Sequence, residues 1–188
     1  MGQNDHPNEC NCVVHRLMRM NPNATEADVL QVVIQDARHR LCHEPYITMY
    51  APPKDGIPYA YTVGLSRMSL PELLVVGLTR DPCAAIFSNV VDWMMAQGGL
   101  VLEHRGAYNE HEVPTLGFAE LGPMPRATIM PMVGKILDCK ADNFRAYQAL
   151  WPDTSGRLPW HEGFDPHAVQ PIIGAGISVP GQGGVAEA

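Results

Sequence analysis

The chain has 188 residues, 46% of them apolar and only 18% charged, which excludes a disordered chain and suffices for a core without disulfide staples. Thirteen Lys plus Arg against 20 Asp plus Glu give a formal net charge of −7. No basic run interleaves with aromatics, so the clustered positive field that a nucleic-acid groove needs is missing.

Residues 1–23 read as a loose polar arm closing on Asn21-Pro22-Asn23. The opening MGQNDHPNECNC lacks the charged-then-apolar layout of a secretory signal, and His6 stands where a myristoylation signal takes Ser or Thr. No later stretch approaches the roughly 20 apolar residues that span a bilayer. A cytoplasmic protein, with neither nucleic acid nor membrane as partner, is the expectation. Within the arm, Cys10, Cys12 and His15, with His6 nearby, are zinc-type ligands, and Cys42 or His43 would supply a fourth. The single residue between the cysteines is shorter than structural zinc sites prefer, so reduced thiols are the competing reading. No other cofactor is implied.

Thr25 caps a helix whose first turn holds Glu26 and Asp28; Leu30, Val33, Ile34, Ala37 and Leu41 form its apolar face, and Pro45 stops it. Residues 46–50 predict a strand, then a turn of Pro52, Pro53, Asp55 and Gly56. Residues 59–65 and 73–78 are further strands, the second so apolar that it should be covered on both faces. Asp81-Pro82 opens a second helix with Cys83, Ile86, Phe87, Val90 and Met94 on one face and Gly98-Gly99 at its end. Strands are expected at 100–103, 115–121, 127–130 and 144–150, a polar loop around Tyr108, a short helix at 133–137 and a disordered tail over 175–188. Irregular alternation argues against a parallel βαβ fold. The expectation is one α+β domain over 24–174, a twisted, mostly antiparallel sheet flanked by two main helices.

Four strings stand out: AYTVGL at 60–65, PELLVVGL at 71–78, ALWPDTSGRLPW at 149–160 and QPIIG at 170–174. In order and spacing the chain resembles the uncharacterised bacterial and phage family called domain of unknown function 4262, over about residues 24–174. The resemblance implies no activity. The chain departs from the family pattern at Leu70, where His is usual, and at Cys10-Asn11-Cys12, where the family often has Cys-x-x-Cys.

The segment from Trp151 to Trp160 has two readings. Trp151 and Trp160 would wall a pocket in which Asp153 accepts and Arg157 holds an anion; or Pro152 to Gly156 is turn chemistry and the rings fill the core. On the YTVGL strand, Tyr61, Thr62 and Gly64 are candidate ligand contacts, with packing or a bulge as the plain alternative. Glu72 enters an apolar strand, where shielding makes general acids, or it caps the turn at Pro71. With Asp153 and His161 it completes a candidate acid–base set. Three functions follow: a small-molecule or partner-binding module with its pocket between the YTVGL strand and the WPD segment; an enzyme acting on a small polar substrate through Glu72, Asp153 and His161; or a protein–protein module such as an antitoxin or phage counter-defence factor, marked by a large exposed apolar patch.

Overall fold

The computed structural model describes residues 12–51, 56–96, 107–108, 116–165 and 170–173, and the chain divides into two units, Met1–Ile47 and Thr48–Ala188. In the first, α1 (Val13–Met20) packs against α2 (Glu26–Arg40). The Thr25 hydroxyl accepts from the Asp28 N–H at 3.2 Å while the Asp28 carboxylate accepts from the Thr25 N–H at 2.8 Å, a capping box that fixes where α2 begins. Much of the expected loose arm is therefore helical: Val13, Val14 and Leu17 give it an apolar side, against which α2 supplies packing that so short a helix lacks alone.

The remaining elements are β1 (Ile47–Ala51), β2 (Tyr59–Val63), a 3₁₀ turn (Leu65–Met68), β3 (Glu72–Val76), α3 (Arg80–Ala96), β4 (Ala107–Tyr108), β5 (Leu116–Glu120), α4 (Pro123–Ile129), α5 (Pro131–Leu137), a second 3₁₀ turn (Ala141–Asn143) and β6 (Ala146–Leu150). The six strands form one sheet in the order β1-β2-β3-β6-β5-β4. Pairing is antiparallel for β2 with β3, β5 with β6 and β4 with β5, and parallel for β3 with β6. The architecture is α+β with a mostly antiparallel sheet.

Every residue of β3 and β6 is buried, as the unbroken apolar run of β3 requires of a central strand. α3 lays Cys83, Phe87, Val90, Val91 and Met94 into the core and contacts β2. The helix starts two residues earlier than expected, since the Cys83 N–H reaches the Thr79 carbonyl at 3.2 Å, so Asp81 lies inside the first turn rather than at the cap. Residues 127–129, expected in a strand, are helical. Pro123 at the first helical position fits the fixed φ that the helix needs, and this outweighs the strand preference of Thr128 and Ile129. The expected loop at Tyr108 holds the two-residue edge strand β4. The turn at 52–55, Gly98-Gly99, the strand at 100–103 and the tail over 175–188 lie outside the described residues. No helix among the described residues is long and apolar enough to cross a membrane.

Candidate functional site

The register of β3 and β6 fixes two ends of the sheet. Glu72 pairs with Ala146, so Glu72 lies where β6 begins, whereas Trp151 follows where β6 finishes. Because β2 runs antiparallel to β3 with Tyr59 opposite Val76, Gly64 belongs to the Glu72 end. The YTVGL residues nearest Glu72 and the WPD segment are thus at opposite ends, and so are Glu72 and Asp153. The three acid–base candidates are not brought together.

At the first end, Glu72 is fully buried and all its bonding is internal. Its carboxylate accepts from the Thr62 hydroxyl at 2.7 Å, the Gly64 N–H at 2.9 Å, the Ser66 N–H at 3.0 Å and the Ser66 hydroxyl at 2.8 Å. The Thr62 oxygen also accepts from the Leu73 N–H at 2.8 Å. Gly64 at φ 120° lets the backbone fold over the carboxylate, a conformation that side chains disfavour. Such a set is what a buried carboxylate needs to be tolerated, and it ties β2, the 3₁₀ turn and β3 together. Tyr61 stacks on Tyr59, the rings 6.4 Å apart, and is pushed up to about 12 by burial, while a bond from the Met132 backbone acts the other way. That bond fastens the start of α5 to β2.

At the other end, Asp153 organises the WPD turn. Its side chain is almost completely enclosed and accepts the N–H groups of Ser155 (2.8 Å), Arg157 (2.9 Å) and Asp165 (3.1 Å), together with the Arg157 Nε–H (3.1 Å). Burial alone would push this carboxyl up; the N–H donors of Arg157, Asp165 and Ser155 and the Arg157 charge outweigh it and hold the carboxyl below the usual carboxylate range. Asp153 therefore has no face to offer a ligand.

The two tryptophans are partly spent as well. Trp151 Nε1 donates to the Val76 carbonyl at 3.2 Å. The Trp160 ring lies over Gly117 of β5, so close that a Cβ there would fall 2.2 Å from it.

Arg157 differs. Its backbone N–H and Nε are committed to Asp153, and Nη1 sits against Gly163, where a Cβ would approach to 2.6 Å. Yet its side chain is 41% exposed, and its terminal nitrogens have no hydrogen-bond partner among the described residues. His161 is exposed; its Nδ1 accepts from the Leu158 N–H at 3.1 Å, so the neutral ring carries its proton on Nε2. Its ring stands edge-on to Trp160 at 6.2 Å.

The QPIIG string proves to be a latch. Gln148, buried in the middle of β6, donates to the Pro171 carbonyl and accepts from the Ile173 N–H, both at 2.8 Å, as a neighbouring strand would. Gln170 returns the arrangement, accepting from the Trp151 N–H and donating to its carbonyl, again at 2.8 Å.

Of the zinc-type residues, Cys10 lies outside the described residues, and the Cys12 sulfur is 3.2 Å from His15 Nδ1. Among the described residues no three His, Cys, Asp or Glu side chains gather as a metal set. Sequence reasoning passed over a cleft of about 220 Å³ bordered by α4, α5 and Phe144, with Arg126 and Lys135 in its lining. Its one legible signal was the pair of proline-started helices, the first of which carries Arg126.

The chain belongs to the family described as Domain of unknown function (DUF4262), which matches residues 42–165. The match takes in the YTVGL, PELLVVGL and WPD strings, while α1 and α2 precede it and the QPIIG string follows it. No curated protein and no solved structure matches the chain.

Proposed function

We propose that this member of the DUF4262 family is a small-molecule-binding module that receives an anionic group on Arg157, at the surface of the WPD turn. One observation carries the reading: Asp153 and Gly163 flank the guanidinium while its terminal nitrogens have no hydrogen-bond partner among the described residues, on a side chain that is 41% exposed. A guanidinium fixed in advance loses little freedom on binding and meets phosphate or carboxylate oxygens in a bidentate fork. The His161 Nε2–H, four residues on, adds a donor of the same polarity, and the half-buried Trp160 ring offers apolar surface beside it. Turnover finds less support, because Asp153 is satisfied internally and Glu72 stands at the far end of the sheet.

The test is an NMR titration with inorganic phosphate, following the Arg157 Nε–H and the amides of residues 157–163. Saturable shifts are expected in the natural chain. In Arg157→Lys, which keeps the charge and loses the fork, affinity should fall about tenfold or more. Equal shifts in both proteins, or none in the natural chain, would refute the proposal.

A further inference from the structure

The cleft beside α4 and α5 lies at the other end of β6 from the WPD turn, since Phe144 borders it and precedes β6 while Trp151 follows it. Seven residues of extended chain separate these positions, about 23 Å at 3.3 Å per residue. The cleft is therefore a place distinct from Arg157.

Its lining divides by chemistry. Met130 and Phe144, both buried in the core, and Ala127 present apolar surface; Arg126 comes from α4 and Lys135 from α5. Arg126 is held in place: Nη1 donates to the Phe144 carbonyl, and the guanidinium lies over the Phe144 ring with Cζ 5.5 Å from its centre. Its Nε is enclosed and has no hydrogen-bond partner among the described residues. An enclosed N–H without an acceptor is costly, and such a group in a native fold calls for an explanation. The Cys139 thiol, also in the lining, is pushed up by burial, then by the Glu72 and Asp138 charges, so it stays uncharged at neutral pH and adds no repulsion of its own.

We propose that this cleft is a second binding site, which takes a small organic carboxylate with its charged end on Arg126 and Lys135 and its apolar body against Met130 and Phe144. The carboxylate supplies the acceptor that Arg126 Nε lacks, reached by a small rotation of the guanidinium that opens its Nε and Nη2 edge to a bidentate partner. The apolar half of the lining selects an organic anion over an inorganic one. The volume of about 220 Å³ is below that of pockets for drug-sized molecules, which limits the ligand to a small one.

The probe is benzoate, with benzyl alcohol as its neutral counterpart and inorganic phosphate as an anion without an apolar body. Binding is read from the Arg126 Nε–H resonance and the amides of residues 126–139 in the full chain. Benzoate should shift these signals saturably, while benzyl alcohol and phosphate bind at least tenfold more weakly. Arg126→Gln should lower benzoate affinity at least tenfold, Lys135→Gln severalfold, and Arg157→Lys should leave it unchanged. If Arg126→Gln does not fold, Ala127→Phe, which fills the cleft from an exposed helix position, should abolish binding. Benzoate and benzyl alcohol binding alike, benzoate binding unaltered by Arg126→Gln or Ala127→Phe, or no shift with benzoate would each overturn the proposal.

Discussion

Replacing Gln148 by Leu tests the latch, the feature that explains why a glutamine is buried in the middle of β6. The substitution keeps roughly the side-chain volume and removes two hydrogen bonds, those to the Pro171 carbonyl and the Ile173 N–H. At about 1 kcal/mol each the direct loss is about 2 kcal/mol, and each main-chain group left without a partner adds about 1–3 kcal/mol if water cannot reach it. Pro171 is exposed and Ile173 half-buried, so water reaches much of the released segment and the lower end applies. The expected destabilisation is about 2–4 kcal/mol, a fall in Tm of roughly 4–15 °C. All three tryptophans, Trp93, Trp151 and Trp160, lie in the unit Thr48–Ala188, so their fluorescence during urea unfolding reports that unit alone. Hydrogen exchange of the Ile173 amide supplies a local readout. Gln170→Ala cuts the return arm of the latch, so the double variant should cost at least about 1 kcal/mol less than the two single losses together. An unchanged urea midpoint with an equally protected Ile173 amide would refute the reasoning, and strict additivity would show that the two arms are not one device.

Two further outcomes follow from the buried carboxylates. Glu72→Gln can keep one acceptor oxygen on the N–H groups of Gly64 and Ser66 but sets an amide donor against the Thr62 hydroxyl, which already accepts from the Leu73 N–H, and should lower the urea unfolding free energy by about 1–3 kcal/mol; a loss under about 0.5 kcal/mol would mean that the network contributes little. The Asp153 carboxyl is depressed in the folded chain, so its stabilisation is present above the unfolded value near 3.8 and is lost as pH falls through the folded value. Urea midpoints of the natural chain should therefore drop below about pH 4, and Asp153→Asn should flatten that acid limb, whereas parallel limbs in both proteins would contradict the assignment.

What was legible in the sequence depended on how local its cause is. Thr25 and Asp28 are three residues apart and announce the start of α2 in full. The apolar run of β3 announces a strand covered on both faces. The residues around Asp153 read as turn chemistry because the bonds to Ser155 and Arg157 close within four residues. The latch could not be read, since Gln148 meets its partners 23 and 25 residues away through a path that only the fold defines. For the same reason Arg126 drew no notice, its anchor being the Phe144 carbonyl 18 residues on. Glu72 was noticed for its place before an apolar strand, but its donors depend on the pairing of β2 with β3.

This difference bears on where function resides. The polar side chains of the recognisable strings are directed at the protein's own backbone: Glu72 and Thr62 at the amides of residues 64, 66 and 73, Asp153 at those of 155, 157 and 165, and Gln170 at Trp151. Each replaces main-chain partners that an irregular turn or an isolated extended segment would otherwise lack. In this chain, therefore, these strings largely specify how it folds. Chemistry available to a ligand lies with groups whose donors exceed what the fold consumes, the terminal nitrogens of Arg157 and the enclosed Nε of Arg126. Of these two arginines, Arg157 stands inside the WPD string and Arg126 outside every string, at the opposite end of the same strand.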